Sequence, residues 1–399
     1  MMQDQQAYFV LFQGARVFSP QDLGTQDVLV AGERVAAIGT HLELPSSWPV
    51  RVVDLKGYYL LPGLIDAHVH IIGGGGEGGF ATRTPEAYLS AITSAGVTTV
   101  VGVLGTDGIT RHMAGLLAKA RGLEAEGIST FIYTGAYEVP TRTITGSVRS
   151  DLILIDKVIG TGEIAISDHR SAQPLLEDIK KLAAEARVGG MLAGKAGVVH
   201  LHLGDGSSGL AMLFQIVEET ELPAGQFLPT HVNRNPWLFA DAIAWGKKGG
   251  AVDVTSGVSP AGGMARAIKP SRAIKQAIVE GVPLTNITMS SDGFGSAPVF
   301  GPNGELVGLT VGKQDSLIQE LRDLVQQEGL PLEQAVQVVT SNVARVLKLP
   351  RKGVIQIGSD ADFAVFTPEL ELEQVWARGR LMVDAGKPVV FGTFEQSLG

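Results

Sequence analysis

The chain has 399 residues, of which 45% are hydrophobic, so it holds enough apolar material for a large core and, on length alone, for roughly two or three domains. Its formal charge of −9 comes from 32 basic and 41 acidic residues without a block of lysine and arginine, which argues against a nucleic-acid-binding surface. The absence of cysteine excludes disulfides, cysteine-ligated zinc and thiol chemistry, and leaves histidine and carboxylate side chains as metal ligands.

The first residues do not resemble a targeting segment. Residues 1–6 lack the basic and apolar regions of a secretory signal, and no uninterrupted apolar run reaches the length of a transmembrane helix. We therefore expect a cytoplasmic protein with neither a membrane nor a nucleic acid as its partner.

Short strands separated by turn residues are predicted at both ends of the chain. The strand candidates before residue 62 are 14–18, 27–39 and 51–55, and those after residue 350 are 353–358, 361–366 and 375–383. Two terminal β segments that flank a long α/β region most economically pair with each other. The predicted domains are a small β-sandwich formed by 1–62 plus 350–399 and a single inserted domain at 63–349.

Two histidines stand one residue apart at the end of the apolar run 60–70. If this run is a strand, His68 and His70 project from the same face, about 6–7 Å apart along the backbone. That spacing lets two imidazoles bind one divalent metal ion, although a bare His-x-His pair is as often one buried histidine and one surface histidine. The Pro-Gly inside the run and the four glycines at 73–76 favour metal ligation at the C-terminal end of a barrel strand.

Strand-like and helix-like segments alternate between residues 63 and 349. After the strand that carries His68, the predicted strands are 97–104, 130–134, 164–167, 198–203, 227–231, 252–255 and 287–290. The predicted helices are 112–126, 147–159, 173–187, 209–219, 236–247 and 265–280, followed by others through residue 349. Eight strands that alternate with helices predict an α/β fold, a (β/α)8 TIM-like barrel.

Further candidate metal ligands lie at the ends of these strands. They are His200 or His202 on the fifth strand, His231 on the sixth and Asp292 on the eighth. A lone strand histidine is more often structural, but four histidines and an aspartate that converge on one barrel mouth favour a metal site. Periodicity does not separate His200 from His202, which share a face, whereas proximity to the turn at Gly204 favours His202.

Several motifs agree with one known family. They are Asp66-Ala67-His68-Val69-His70, the histidines of the fifth and sixth strands, Ser291-Asp292-Gly293, Gly73-Gly74-Gly75-Gly76-Glu77, Thr134-Gly135-Ala136-Tyr137 and Ser167-Asp168-His169-Arg170-Ser171. The metal-ligand motifs resemble those of the binuclear amidohydrolase superfamily. The last three motifs are more specific, and the chain resembles isoaspartyl (β-aspartyl) dipeptidases over essentially its whole length.

The chain departs from the dipeptidase pattern at the bridging ligand. That pattern has a carboxylated lysine that bridges the two metal ions, and this chain has Glu163 at the corresponding position. A glutamate arm is three bonds shorter, so the backbone would have to approach the metals by roughly 3–4 Å. The additional glycine at Gly162 would permit such a path. The alternative bridging residue is Lys157, which is predicted to lie in the preceding helix.

The resemblance implies two Zn²⁺ ions per subunit. His68 and His70 would hold one ion and His202 and His231 the other, while Glu163 and a hydroxide would bridge both.

The resemblance also implies the catalytic groups. Asp292 would bind the first ion and act as the general base toward the hydroxide, later passing the proton to the departing amine. Tyr137 would donate to the amide carbonyl as it becomes an oxyanion. The implied reaction is hydrolysis of the isopeptide bond in β-aspartyl dipeptides.

The charges of such a substrate match side chains of the predicted barrel loops. A β-aspartyl dipeptide carries one ammonium group and two carboxylates. Glu77 would bind the ammonium group, and Arg170 and Arg234 would bind a carboxylate through their planar guanidinium groups. By resemblance, the aspartyl carboxylate would be held by the Gly75 N–H, Thr106 and Ser296.

Two other functions stay open at this point. A different amidohydrolase, such as a hydantoinase, a dihydroorotase or an N-acyl-amino-acid deacylase, would keep the metals but would not need the second arginine. A non-catalytic scaffold of the same fold would have lost metal ligands, which this chain retains. The family resemblance further suggests a homo-oligomer, with an octamer as the expected assembly.

Overall fold

The structure is a computed structural model that describes residues 8–300 and 305–395. Five strands precede the barrel, namely β1 Phe9–Phe18, β2 Asp22–Ala31, β3 Arg34–Gly39, β4 Val50–Asp54 and β5 Tyr59–Pro62. Within these described ranges, no helix combines the length and the apolar character needed to cross a membrane.

Eight parallel strands alternate with helices in the middle of the chain. The strands are β6 Leu64–Val69, β7 Val97–Gly102, β8 Ser129–Thr134, β9 Val158–Ile166, β10 Val198–Leu203, β11 Phe227–Thr230, β12 Val252–Thr255 and β13 Ile287–Ser290. The helices are α1 Leu89–Ser94, α2 Met113–Glu126, α3 Val148–Leu154, α4 Leu176–Ala193, α5 Ala211–Glu219, α6 Pro236–Lys247 and α7 Pro270–Val279.

A hairpin, three helices and four strands follow the eighth barrel strand. They are β14 Ser296–Phe300, β15 Leu306–Val311, α8 Ser316–Gln326, α9 Leu332–Ala335, α10 Ser341–Val346, β16 Phe363–Phe366, β17 Leu372–Ala377, β18 Arg380–Asp384 and β19 Lys387–Pro388.

The eight strands β6 to β13 close into a barrel. Strands β6 to β11 form one sheet in chain order, and β12 pairs with β13. The ring closes where the His70 N–H donates to Gly293 O over 2.9 Å and where the Val232 N–H donates to Asp253 O over 3.4 Å. Except for the half-buried Phe131, the residues of β6 to β13 are buried on both faces, as expected for a parallel barrel covered by helices. The predicted α/β fold with a TIM-like barrel is confirmed.

Strands from both chain ends share a second sheet. Its order is β19-β18-β17-β16-β5-β1-β2-β3, with β4 paired to β1, and β16 from the C-terminal part lies antiparallel to β5. The rings of Phe363 and Trp376 pack edge-on against Phe12, with centroid distances of 5.2 and 4.9 Å. The predicted pairing of the two ends is confirmed, and the domain bounds 1–62 plus 350–399 and 63–349 stay a prediction.

The apolar run 60–70 is divided between the two sheets at Gly63. Residues before it belong to β5 of the terminal sheet, and residues after it belong to β6 of the barrel. A Cβ atom at Gly63 would collide with the side chain of Thr98 in β7, so the chain passes from one sheet to the other where it has no side chain. His68 is therefore on β6, and His70 lies just beyond its end.

Several predicted elements were wrong. Residues 353–358 form bends and turns instead of a strand, and 375–383 is two strands joined by a turn. At that turn Arg378 and Gly379 both have positive φ, 51° and 74°, which is typical of a tight two-residue hairpin turn. The predicted helix 147–159 ends at Leu154. Strand β9 already begins at Val158, because the buried residues from there on belong to the barrel wall. The hairpin of β14 and β15 was not predicted.

Candidate active site

The predicted metal ligands meet at the C-terminal mouth of the barrel, where barrel enzymes carry their catalytic groups. The side chains come from five strand ends: His68 and His70 at β6, Glu163 at β9, His202 at β10, His231 after β11 and Asp292 after β13. The four histidines and Glu163 are buried, and the Asp292 side chain is 30% exposed.

A β-bulge brings Glu163 into this group. Along the pairing of β9 with β10, Thr161 lies opposite Val199 and Ile164 opposite Leu201, so β9 contains one additional residue. The bulge includes Gly162, whose φ is 151°, and a Cβ atom there would lie 2.6 Å from His200 O. Glycine therefore lets the backbone of β9 approach β10, which agrees with the path expected for a shorter bridging side chain.

Lys157 lies just before the N-terminal end of β9. Its Nζ donates to Thr130 O over 3.1 Å and pairs with Glu124. Six residues of extended strand separate it from Glu163, which corresponds to roughly 20 Å. The alternative that Lys157 supplies the bridging group was therefore wrong.

Glu163 lies between two groups of histidines. Its Oε1 is 2.8 Å from His202 Nδ1 and 3.2 Å from His231 Nε2. Its Oε2 is 3.4 Å from His68 Nε2. Two sets of possible metal ligands result, one with His68 and His70 and one with His202 and His231, and they share Glu163.

Asp292 borders the first of these sets. Its Oδ1 lies 3.1 Å from His70 Nε2 and 3.5 Å from His68 Nε2. Asp292 and His231 both have positive φ, 58° and 62°, which non-glycine residues rarely adopt. Such conformations cost energy and are concentrated at functional sites, where they direct a side chain that the regular strand would place elsewhere.

The residues present fit bound metal. His68 Nε2 and Glu163 Oε2 are buried and lack a hydrogen-bond partner among the described residues. The two atoms lie 3.4 Å apart without a hydrogen bond between them. Because buried polar atoms are nearly always paired, they indicate a missing partner. Imidazole nitrogen and carboxylate oxygen are ligands that suit a divalent transition metal.

Three histidines use their second ring nitrogen for contacts with protein groups. His231 Nδ1 lies 2.8 Å from Thr255 Oγ1, and His202 Nε2 lies 2.9 Å from Asp168 Oδ2. His68 Nδ1 lies 3.0 Å from His200 Nε2. Contacts of this kind orient metal-binding imidazoles. His202 thus contacts Glu163 directly, whereas His200 lies behind His68.

Sequence reasoning did not assign Asp168 a place in the site. Its buried carboxylate accepts from Arg170 Nε over 3.0 Å and from Arg170 Nη2 over 2.8 Å, in addition to contacting His202. The available signal was its place two residues after the end of β9, within the same Asp-His-Arg-Ser segment that supplied Arg170.

Burial and neighbouring charges set the protonation of the inner groups. Burial lowers the pKa of His231 to about 3, which keeps its imidazole neutral and able to bind a cation. Burial raises the pKa of the Tyr137 hydroxyl well above its usual value, so the hydroxyl stays protonated and can donate. Burial also opposes ionisation of Glu163, but His68 and His202 hold its pKa well below the usual range.

A cavity of about 470 Å³ opens over the metal-ligand groups. Its lining includes every residue predicted to bind substrate, namely Gly75, Glu77, Thr106, Arg170, Arg234 and Ser296, together with Tyr137, whose OH lies 2.8 Å from His202 Nδ1. The residues predicted to bind substrate thus include one acidic and two basic side chains, which line the same cavity as His70 and His202.

The two arginines differ in their contacts. Arg170 is held by Asp168 and also donates from Nη1 to Glu77 Oε1 over 3.3 Å, and Glu77 in turn accepts from Thr106 over 2.7 Å. Arg234 Nε, in contrast, is buried without a hydrogen-bond partner in the described part of the chain. Arg234 also lines the cavity, and it differs from Arg170 in having a guanidinium donor without a partner among the described residues.

Comparison with known proteins agrees with this geometry. The model of the amidohydrolase family matches residues 59–382. The crystal structure of a β-aspartyl dipeptidase from Fervidobacterium islandicum AW-1, in complex with a β-Asp-Leu dipeptide, is 45% identical with a TM-score of 0.88, covering 96% of this chain and 98% of that one. A dihydropyrimidinase from Brevibacillus agri is 17% identical with a TM-score of 0.68, covers 96% of this chain and 97% of that one, and shares the fold.

A curated relative illustrates a likeness that is confined to a short segment. An adenine deaminase of Deinococcus radiodurans is 38% identical over 94 residues, which are 23% of this chain and 16% of that enzyme. The chain thus spans less than a fifth of that relative's length. From the family match and the long structural likeness, the chain belongs to the amidohydrolase family, within the group that contains the β-aspartyl dipeptidases.

Proposed function

We propose that this protein is a metal-dependent dipeptidase that hydrolyses the isopeptide bond of β-aspartyl dipeptides. The observation that carries the proposal is the buried carboxylate of Glu163, shared by two pairs of histidines below a cavity that offers Glu77 and Arg234. The likeness to an enzyme that was crystallised with β-Asp-Leu supports this choice among amidohydrolase reactions.

The proposed cofactor is a pair of Zn²⁺ ions per subunit. His68, His70 and Asp292 would hold one ion, and His202 and His231 the other, with Glu163 between them. When bound, the two ions would supply Lewis-acid chemistry, which lowers the pKa of the attacking water and polarises the scissile carbonyl.

Asp292 and Tyr137 would carry the proton transfers. The Asp292 carboxylate accepts a proton from the attacking water as the oxygen adds to the amide carbon. The Tyr137 hydroxyl donates a hydrogen bond to the carbonyl oxygen as negative charge develops there. Asp292 then gives its proton to the amine nitrogen while the C–N bond breaks, which releases aspartate and the second amino acid.

The cavity groups would select the branched linkage. Glu77 would bind the α-ammonium group, while the Gly75 N–H, Thr106 and Ser296 would hold the aspartyl α-carboxylate. Arg234 would bind the carboxylate of the second residue, together with Arg170. Since Glu77 contacts both Thr106 and Arg170 before substrate enters, these three side chains would have to exchange partners on binding.

Linkage specificity tests the function. The zinc-loaded protein should cleave β-Asp-Leu and leave α-Asp-Leu largely intact, because the two isomers place the ammonium and carboxylate groups differently around the same amide. The measurement is amino-acid release from both peptides at equal metal content, with Asp292→Asn as the inactive control. Equal rates on the two peptides, or cleavage of cyclic amides alone, would contradict the proposal.

The family resemblance leads us to propose further a cytoplasmic homo-oligomer, with an octamer as the expected assembly. Sedimentation velocity of the purified protein would give its mass in solution, and a monomer would contradict this part of the proposal.

A further inference from the structure

A buried arginine binds both ends of the loop that carries Gly75 and Glu77 at the cavity. Arg111, just before α2, is 6% exposed. Its Nε donates to Ile72 O over 2.9 Å, and its Nη2 donates to Thr84 O over 2.8 Å. Because the guanidinium group is planar and rigid, these two bonds set the separation of the two ends of the loop 72–84.

Thr84 links this loop to the turn that follows the eighth barrel strand. Its hydroxyl accepts from the Gly74 N–H over 2.6 Å and donates to Phe294 O over 2.6 Å. Its own N–H donates to Gly74 O over 3.0 Å. Phe294 stands between Asp292 and Ser296, so one threonine joins the glycine loop to the backbone that carries two other cavity residues.

Two glycines of this loop have positive φ and no space for a side chain. Gly73 has φ 75°, and a Cβ atom there would lie 2.8 Å from Arg111 Nη2 and 2.9 Å from Pro85 O. Gly75 has φ 69°, and a Cβ atom there would lie 2.9 Å from the Cβ atom of Ser296. The loop is therefore enclosed between Arg111 on one side and Ser296 on the other.

We infer that Arg111 and Thr84 are positioning residues for substrate binding. Their hydrogen bonds go to Ile72, Gly74, Phe294 and each other, not to the groups assigned to the substrate. They act by fixing the Gly75 N–H and the Glu77 backbone relative to Ser296. The inference rests on the proposed function, in which these groups bind the aspartyl end of the dipeptide. The nearest metal ligands, His70 and Asp292, also depend on a separate bond of the barrel wall, in which the His70 N–H donates to Gly293 O over 2.9 Å. Loss of the two positioning residues should therefore weaken substrate binding and leave the metal-dependent chemistry in place.

The test separates KM from kcat. Thr84→Val removes the hydroxyl with little change in shape, Thr84→Ser retains it, and Arg111→Met removes both guanidinium bonds. With β-Asp-Leu and equal zinc content, Thr84→Val and Arg111→Met should raise KM at least about tenfold with kcat within about threefold, and Thr84→Ser should stay near the parent.

Thr130→Val is the matched control. Thr130 is also buried, and its hydroxyl donates to Ala120 O over 2.7 Å, away from the cavity. This variant should lower the melting temperature without a change in KM. An unchanged KM in Thr84→Val and Arg111→Met, or an equal loss of kcat and of zinc, would overturn the inference.

Amide hydrogen exchange distinguishes failure of this inference from failure of the proposed function. If the parent protein does not cleave β-Asp-Leu, the proposed function fails. In the zinc-loaded protein, exchange of residues 73–77 should still be at least about tenfold faster in Thr84→Val than in the parent and unchanged in Thr130→Val. Equal exchange in the parent and in Thr84→Val would overturn the positioning role even then.

Discussion

At the scale of single residues, Glu163 is the feature that separates this chain from the dipeptidase pattern with a carboxylated lysine. Its two oxygens face different pairs of histidines, at 2.8 and 3.2 Å on one side and 3.4 Å on the other. A carboxylate that the gene encodes does not have to be formed from carbon dioxide. Metal loading in this protein should therefore be independent of bicarbonate.

Reconstitution tests this consequence of Glu163. Apo-protein loaded with Zn²⁺ in carbon-dioxide-free buffer should regain the same activity as with added bicarbonate. Glu163→Gln should lower zinc occupancy, measured by mass spectrometry, because it removes the anion between the two sites. Lys157→Met should keep the zinc occupancy of the parent. Bicarbonate-dependent recovery, or full occupancy in Glu163→Gln, would argue against the bridging role.

Asp292 gives a second prediction at this scale. Asp292→Asn keeps the size of the side chain, but an amide does not accept a proton at neutral pH. Turnover of β-Asp-Leu should fall by at least about 10²-fold with zinc still bound. Asp315→Asn is the matched control, because Asp315 lines the same cavity without belonging to the metal-ligand groups. Near-normal turnover in zinc-loaded Asp292→Asn would remove the general-base role.

At the scale of elements, the β-bulge of β9 places the Glu163 side chain near the histidines. The bulge depends on Gly162, where a Cβ atom would meet the His200 backbone and where φ is 151°. Its effect is to bring the Glu163 carboxylate to the histidines without a longer side chain.

Gly162→Ala tests the bulge. The added methyl group should destabilise the fold by about 1–3 kcal/mol through backbone strain, and it should also lower zinc affinity because Glu163 moves. Gly122→Ala is the control: Gly122 is exposed on α2 with open space around it. That substitution should stabilise the helix by about 0.5–1 kcal/mol with unchanged zinc affinity. Chemical denaturation of the apo-proteins and chelator competition give the two quantities, and equal zinc affinity in parent and Gly162→Ala would contradict this account.

At the scale of the whole molecule, two sheets meet at Gly63. The terminal sheet has its own aromatic core around Phe12, which is fully buried, and the metal-ligand groups lie at the mouth of the barrel. Stability contributed by the terminal sheet should therefore be separable from catalysis.

Phe12→Ala tests this separation. Loss of a buried phenyl ring should cost about 3–5 kcal/mol of unfolding free energy. At a temperature where the variant is folded, KM for β-Asp-Leu and zinc content should equal those of the parent. A changed KM in the folded variant would indicate that the terminal sheet shapes the cavity.

The local sequence pattern was sufficient to predict the barrel. Short apolar runs, helix periodicity and turn residues are properties of neighbouring residues. The order of β6 to β13 and six of the seven helices between them were predicted from such properties, whereas α1 was not predicted. The positions of the strand ends then predicted which polar residues lie close together, because the C-terminal ends of parallel strands converge on one mouth of the barrel. For that reason His68, His70, His231 and Asp292 could be named before the structure was considered.

Other features depended on contacts between segments distant in sequence. His200 and His202 share a strand face, and only the packing of β10 against Glu163 and His68 separates their positions. The place of Asp168 depends on the direction of a loop, and the path of the glycine loop depends on Arg111 and Thr84. The sequence by itself determined the fold class and the residue types at the barrel mouth, because both follow from local periodicity. Only the tertiary structure decided which histidine nitrogen faces which carboxylate oxygen. The physical reason is that a shift of about 3 Å along or across a strand changes every such contact without altering the sequence pattern.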